Sequence, residues 1–572
     1  MWCDIILKNG RILDGAGNPW YKADIAIKDG KIAKLGSVES MKATCTLDVN
    51  NMIVSPGFID VHNHSDMSLL VDPQLESLTR QGVTTVVNGQ CGSSPAPVNE
   101  HTLELQKLGL NDIEIEIDWT RMDGYFTRLE TKGISPNSIT LVGHGTLRYY
   151  VMGRDYKRES THTELLQMKR LLQKAMEDGA LGLSTGLTYA PGYYAHTREI
   201  IELAKVVSVF GGSYTTHIRE WGSKILGWSG EQGSHVEGVL EAIEIAQQSK
   251  VARLEISHLS AQREFVRDDT QFNRVRDILN SAREKGIDVT IDVQPESWDT
   301  VRPAYRGSIP PIYLEAGVEK LIERLQNPDT RAQIKKEMET KQPMDLGFEY
   351  HAGKLLLLRA GKGDCLTVYP PFNSHLQTQE HEYRTLKEIA ELKQKDLYET
   401  LFDLIVENNG NVFINRKQMN WTLKMSEYTW PIVMVGTDGG SIIRPGKEAT
   451  ERVRPTAFAA YPILLAWVRE CGILTLQDMV RRMTSMPART LGLQDRGLLK
   501  EGFWADIAVF NPNRVRGKTS YSNETEKWAK GVGDARPCYP EGIPYVLVNG
   551  QFIIWDSEHI GTLPGKVLRH PF

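Results

Sequence analysis

Two histidines separated by one residue, His62 and His64, follow an apolar run at 53–57 that is typical of a β-strand. Alternate side chains of a strand share one face, so both imidazoles point to the same side. Two imidazoles on one face can bind a single metal ion. The alternative is a polar strand end with two solvated histidines, and a motif this short does not decide between them.

Further residues with metal-ligand chemistry follow predicted strands later in the chain: Cys91, His217, His258 and Asp438. Thiolate and neutral imidazole are zinc ligands, and a carboxylate beside a metal can act as general base and then acid toward water. Taken singly, each has an ordinary structural explanation, such as a buried cysteine or an aspartate that opens a glycine turn. Their recurrence at strand ends favours metal ligation.

The middle of the chain alternates short apolar strands with helical stretches, the pattern of a parallel α/β fold. Eight strands suggest a (β/α)8 TIM barrel, in which functional groups lie at the carboxyl ends of the strands. Several of the candidate ligands lie at the ends of the eight predicted strands. These strands end near His64, Cys91, His144, Ser184, His217, His258, Asp292 and Asp438.

Both ends of the chain are rich in short strands with turn signals between them. Asn9-Gly10, Asp29-Gly30 and Asn549-Gly550 each predict a hairpin turn. We therefore expect residues 1–55 and 496–572 to build one small β-sandwich domain, with the catalytic barrel at 56–495. The long interval between strands seven and eight predicts an inserted subdomain at about 296–428 that shapes or covers the site.

Composition excludes several classes of function. The 572 residues are 41% hydrophobic and 24% charged, and the net charge of 67 − 72 = −5 gives no basis for binding nucleic acid or an anionic membrane. No apolar run reaches the roughly 18 residues needed to cross a bilayer, and the start of the chain lacks a signal-peptide pattern. Six scattered cysteines fit a reducing, cytoplasmic location. The expected partner is a small molecule, and the sequence leaves open whether the chain forms a homo-oligomer.

The motifs together resemble the amidohydrolase superfamily and, within it, the D-aminoacylase (N-acyl-D-amino-acid deacylase) family. The resemblance covers nearly the whole chain. It is carried by segments spread from the first predicted barrel strand to the C-terminal β-rich region: Gly57–His64, Gln81–Thr85, Asn88–Gly92, Gly143–Arg148, Ser184–Leu187, Thr216–Arg219, Ser257–His258, Asp438–Gly439, Ala505–Phe510 and Pro544–Gly550.

The resemblance implies a zinc cofactor and a division of the ligands. A tight site would use Cys91, His217 and His258. A second, weaker site would use His62, His64 and Asp438, with Cys91 as a bridge. The carboxylated lysine that bridges metals in many amidohydrolases has no counterpart near 181–188, and a thiolate is the substitute in this family. Asp438 would activate the water that attacks the amide.

Two departures from the family pattern concern the substrate. The family's Asp-x-Tyr-Pro-Tyr stretch reads here with Gln294 and Glu296 in place of the two tyrosines, and Thr456 stands where an arginine normally binds the substrate carboxylate. Arginine is the best bidentate partner for a carboxylate, so its loss indicates a different substrate or a substitute. The candidate substitutes are Arg444, Arg452 and Arg454, and further candidate substrate contacts are His144, Arg148 and Tyr189.

Three hypotheses follow. The first is a zinc amidohydrolase that cleaves N-acyl-D-amino acids. The second keeps this chemistry but takes a cyclic, hydantoin-like amide or an N-acyl compound without a free carboxylate. The third is a barrel that binds a ligand without catalysis, which the complete set of candidate ligands argues against.

Overall fold

A long strand near the N-terminus, Trp2–Ile12, organises the β-domain. It pairs antiparallel with Tyr21–Lys28 and parallel with both Lys42–Asp48 and Ile53–Pro56. Ile53–Pro56 in turn pairs with Ile507–Phe510, so both ends of the chain share one nine-stranded sheet. The remaining strands of this sheet are Lys31–Gly36, Tyr545–Val548, Gln551–Trp555 and Glu558–His559.

Alternation of apolar side chains explains why the two chain ends associate. Ile5 and Leu7 on the first strand are buried with Ile507, Val509 and Leu547 from the C-terminal strands in one hydrophobic core. This core contains residues from both chain ends, so the two ends pack together in one domain. The predicted small β-domain built from both chain ends is thereby confirmed.

The hairpin predicted at Asn9-Gly10 is wrong. The strand continues through this pair, and the register with its neighbour shifts between Leu7 and Gly10, which marks a β-bulge. Asn9 has φ of 62°, a conformation that a bulge can use as well as a turn. By contrast, Asp29-Gly30 and Asn549-Gly550 do join antiparallel strands.

The computed structural model describes residues 2–109, 115–188, 190–219, 235–259, 269–295, 302–305, 308–314, 317–341, 358, 366–369, 384–410, 412–416, 426–439, 456–472, 474–517 and 539–571. Within these residues the barrel has eight parallel strands, and the predicted (β/α)8 architecture is confirmed. The third strand is interrupted at Leu141. In chain order the strands are Phe58–Asp60, Val83–Asn88, Asn137–Thr140 with Val142–Gly143, Gly182–Gly186, Ser213–His217, Arg253–Ile256, Val289–Val293 and Val433–Val435.

Backbone contacts just beyond the first and eighth barrel strands close the barrel. Asn63 and Gly439 form a parallel bridge, and the Asp438 amide donates to the His62 carbonyl at 2.9 Å. Residues that follow these two strands are thus fixed side by side at the carboxyl end of the barrel.

The helices around the barrel bury one apolar face each. In His162–Glu177, for example, Met168, Leu172 and Met176 are buried, and Thr161 caps the start of the helix. Of the helices in the described ranges, none is long and apolar enough to cross a membrane. The other helices outside the insertion are Ser68–Val71, Glu76–Thr79, Glu100–Gly109, Met122–Lys132, His144–Met152, Thr197–Val209, His235–Ser249, Asp269–Glu284, Thr456–Cys471, Leu476–Met483 and Ser485–Leu491, with 3-10 turns at Gly153–Asp155 and Gly192–Tyr194.

The segment between barrel strands seven and eight has its own core. Leu321, Leu401 and Ile414 belong to a hydrophobic cluster distinct from that of the barrel. The domain boundaries given above stay a prediction. Elements of this segment are the 3-10 turn Pro311–Tyr313, the helices Gly317–Gln326, Pro328–Thr340, Leu386–Lys393 and Leu397–Glu407, and the antiparallel strands Arg302–Pro303, Leu366–Tyr369 and Phe413–Arg416.

Candidate metal centre and active site

The six predicted ligands lie together at the carboxyl ends of the barrel strands. Three of them, Cys91, His258 and Asp438, have positive φ values of 53°, 38° and 48°. Such a conformation is strained for residues other than glycine and tends to occur at functional sites. It turns the chain sharply where each strand ends. At Gly92 (φ 76°), next to Cys91, a Cβ atom would lie 2.7 Å from the backbone nitrogen of Gly186.

The Cys91 thiol is the centre of the buried part of the site. Its Sγ lies 3.4 Å from His62 Nε2, 3.3 Å from His258 Nε2 and 3.7 Å from His217 Nδ1. Zinc bonds of roughly 2.3 Å to sulfur and 2.05 Å to nitrogen place tetrahedral ligand atoms about 3.6 Å apart. The spacing and the chemistry of these donors therefore fit a zinc ion.

The second group of donors surrounds the Asp438 carboxylate. Its Oδ1 lies 3.1 Å from His64 Nε2 and 3.6 Å from His62 Nε2. The ligand atoms of His62, His64 and Cys91 all lie within 4.8 Å of one another, as do those of Cys91, His217 and His258. The two groups thus adjoin, and Cys91 belongs to both.

Charges within the site favour ionised ligands. Burial alone would raise the pKa of the Cys91 thiol, but the charges of His62 and His258 and hydrogen bonds from His217 and His258 hold it well below its ordinary value. Burial disfavours the charged form of His64 and would lower its pKa, yet hydrogen bonds to Asp438 and Cys91 raise this pKa to about 10. The raised pKa favours the protonated form of His64 in the metal-free protein, and a cation that binds here must displace that proton.

Carboxylates that were not among the predicted site residues support the ligands. Asp292 Oδ2 lies 3.3 Å from His62 Nδ1. Asp60 accepts a hydrogen bond from Asn63 at 2.8 Å and from the backbone and hydroxyl of Thr437. Burial raises the pKa of Asp60 to about 6 against these hydrogen bonds. Sequence alternation offered a signal for Asp60, two residues before His62, and Asp292 ends a predicted barrel strand.

The candidate substrate residues have different surroundings. Gln294 Nε2 donates to Asp438 Oδ2 at 2.5 Å, so the structure brings Gln294 to the predicted general base. Thr456 is the first residue of the helix Thr456–Cys471. Several others lie outside the described residues: Tyr189, Glu296, Arg444, Arg452 and Arg454.

His144 and Arg148 are buried in a network around Glu199. Glu199 lies 2.7 Å from His144 Nε2 through Oε1 and 2.5 Å from Arg148 Nη1 through Oε2. The other end of the guanidinium donates to the carbonyl of Tyr156 at 3.1 Å. These contacts join the helix His144–Met152 to the helix Thr197–Val209. A substrate-binding role for His144 and Arg148 stays a prediction.

A (β/α)8 barrel that presents cysteine, histidine and aspartate donors at its strand ends is a scaffold suited to metal-dependent hydrolysis. A model of the amidohydrolase family matches residues 46–296 and 423–554, and the chain belongs to that family.

Relatives with assigned activities match over nearly their full length. A D-aminoacylase from Alcaligenes xylosoxydans is 28% identical over 574 residues, which cover 99% of this chain and 97% of that protein. An N-acyl-D-glutamate deacylase of the same organism is 28% identical, over 99% of this chain and 96% of the relative.

A solved structure shows the same architecture. The N-acyl-D-glutamate deacylase of Bordetella bronchiseptica, complexed with zinc and a phosphonate mimic of the tetrahedral intermediate, aligns over 100% of both chains with a TM-score of 0.71 and 26% identity. The family resemblance that the sequence motifs predict is confirmed.

Proposed function

We propose that this amidohydrolase is a zinc-dependent deacylase that hydrolyses the amide bond of N-acyl-D-amino acids or a closely related N-acyl compound. The observation that carries the proposal is the buried Cys91 thiol, which lies at zinc-ligand spacing from three imidazoles, one of which, His62, lies 3.6 Å from the Asp438 carboxylate. The activities named for the full-length relatives agree with it.

The proposed assignment of donors follows the two adjoining groups. Cys91, His217 and His258 would hold one zinc ion tightly. His62, His64 and Asp438 would hold a second more weakly, with Cys91 as a bridge between the two. Bound zinc supplies Lewis acidity, which polarises a carbonyl oxygen and makes water a better nucleophile near neutral pH. The Bordetella relative was solved with zinc.

Asp438 moves the proton in this mechanism. Its carboxylate takes a proton from the attacking water and returns it to the nitrogen of the departing amine, as a general base and then a general acid. Gln294 holds one carboxylate oxygen while the other faces His64, so the plane of the acid is fixed before substrate binds. The side chain of Asp438 is 15% exposed, whereas that of His62 is fully buried, so substrate and water approach from the Asp438 side.

Recognition of the substrate carboxylate needs a cation that Thr456 does not provide. The arginines at 444, 452 and 454 are the chain's own candidates for this role. The proposal predicts that at least one of them, when changed to methionine, raises KM for an N-acyl-D-amino acid with a smaller effect on kcat.

The test is amine release by zinc-loaded protein from paired N-acetyl-D- and N-acetyl-L-amino acids. The proposal expects turnover of D compounds alone, and loss of that turnover in Asp438→Asn protein that still holds the tightly bound zinc ion. An Asp438→Asn variant that keeps wild-type activity would contradict the mechanism.

A second candidate function rests on Gln294 and Thr456, which replace residues expected to hold the scissile carbonyl and the carboxylate. These changes favour a cyclic amide or an amide without a carboxylate. Hydrolysis of hydantoins or N-acyl amines, with none of N-acetyl-D-amino acids, would select this candidate.

A further inference from the structure

His62 is the side chain that contacts both groups of donors. Its Nε2 lies 3.4 Å from Cys91 Sγ and 3.6 Å from Asp438 Oδ1, and the residue is fully buried. The direction of this one nitrogen therefore decides whether the site can hold a second ion beside the first. A neutral imidazole can ligate through Nε2 only when its proton resides on Nδ1.

Asp292 is placed to hold that proton. Its Oδ2 lies 3.3 Å from His62 Nδ1, and the residue is fully buried. Its other oxygen, Oδ1, has no hydrogen-bond partner among the described residues. A buried carboxylate is costly without a polar partner, so Asp292 is stabilised by the His62 imidazole. The same contact orients the imidazole.

The backbone at Gly436, just beyond the neighbouring strand Val433–Val435, lies close to this pair. A Cβ atom at Gly436 would lie 2.7 Å from Asp292 Oδ1 and 2.8 Å from His62 Cβ. Real Cβ atoms do not approach so closely, so a side chain at 436 would force the carboxylate and the imidazole apart. This steric constraint is independent of the hydrogen bond.

We propose that Asp292 is a positioning residue, which fixes the His62 tautomer and ring direction and thereby sets the affinity of the weaker zinc site. Outer carboxylates that bind the free nitrogen of a ligating histidine raise its basicity and typically change metal affinity 10- to 100-fold. The inference rests on the metal centre in the proposed function and assigns a role to a residue that is not itself a ligand.

A second carboxyl in the barrel interior does not compete for this role. Burial, followed by the charge of Asp292, raises the pKa of Glu255 well above its ordinary value. The raised pKa favours the neutral form of Glu255, whereas Asp292 contacts His62 Nδ1 directly.

The experiment compares zinc binding by wild type, Asp292→Ala and Asp292→Asn, measured by chelator competition and metal analysis. The matched control is Asp288→Asn, the same chemical change just before the same barrel strand, where the side chain is 47% exposed. We expect the weakest-bound zinc equivalent to lose about 10- to 100-fold in affinity in both Asp292 variants. Tighter equivalents should stay within about threefold of wild type, as should every equivalent in the control.

Gly436→Ala provides a second route to the same result, because it displaces the pair without removing a charge. Circular dichroism verifies that each variant folds. If Asp292→Ala does not fold, the inference is tested with Asp292→Asn, which is close to isosteric with the wild type. Equal zinc numbers and affinities within threefold in wild type, Asp292→Asn and Gly436→Ala would overturn the inference. Zinc binding is measured without substrate, so the zinc affinities test the role of Asp292 whether or not the protein shows deacylase activity.

Discussion

Removal of the Glu199 carboxylate should destabilise the barrel without touching the metal donors. Glu199 is 4% exposed, and its two oxygens contact His144 and Arg148. Burial would raise the pKa of Glu199, but the hydrogen bond and charge of His144 and then the charge of Arg148 lower it from 4.5 to about 2. At roughly 1.36 kcal/mol per pH unit, this difference corresponds to about 3 kcal/mol of stability.

A second argument gives the same magnitude. Arg148 is fully buried, so Glu199→Gln leaves its guanidinium charge without a counter-ion. Breaking a buried ion pair by removal of one partner costs roughly 3–5 kcal/mol. Replacing both partners should cost less than the sum of the single changes, so Glu199→Gln combined with Arg148→Met should show strong coupling.

The assay is equilibrium urea unfolding, complemented by hydrogen exchange of the helix Thr197–Val209, since a chain of several cores need not unfold in two states. Because the folded pKa of Glu199 is depressed, its stabilisation is present above pH 4.5 and disappears as the pH falls toward 2. The difference between wild type and Glu199→Gln should shrink over this range.

Two results would refute this reasoning. One is a destabilisation by Glu199→Gln of less than about 1 kcal/mol at pH 7, well below the range for a broken buried pair. The other is an Arg148→Met variant that has wild-type stability but a KM raised more than about tenfold. Such a rise corresponds to a loss of more than about 1.4 kcal/mol in substrate binding and would place Arg148 at the substrate instead.

Three further predictions concern the site itself. Asp438→Asn should lower kcat by about 10²- to 10⁴-fold in steady-state assays of zinc-loaded protein, the usual contribution of a general base, and a loss of less than tenfold would contradict its role. Gln294→Leu should lower kcat while KM changes little, because the Asp438 carboxylate loses the donor that orients it. The control variant Gln294→Asn should retain more activity. Equal kinetics of wild type and Gln294→Leu would show that the contact is dispensable. Cys91 should react with iodoacetamide near pH 7 after a chelator removes zinc, because the pKa of its thiol is lowered, and should resist the reagent when zinc is present. Peptide mass spectrometry distinguishes Cys91 from the other cysteines. Equal labelling in both states would argue against ligation of zinc by Cys91.

Several barrel strands could be predicted from sequence because a short apolar or β-branched run is followed by polar residues, as in Val83–Asn88 and Val433–Val435. Helix positions followed from apolar periodicity, as in the helix His162–Glu177. The hairpin at Asn9-Gly10 failed for a physical reason. A left-handed residue such as Asn9 suits a bulge inside a strand as well as a turn, and pairing with distant strands decides between them.

The sequence by itself determined the types of donor in the site and their order along the chain. His62 and His64 share a face by strand alternation. The strand-like segments before Cys91, His217, His258 and Asp438 placed these residues at strand ends. Which donors contact which was decided by closure of the barrel, because it brings residues hundreds of positions apart within hydrogen-bond distance. The pairs His62 with Asp292 and Gln294 with Asp438 exist for that reason alone, since no local pattern relates residues on different strands.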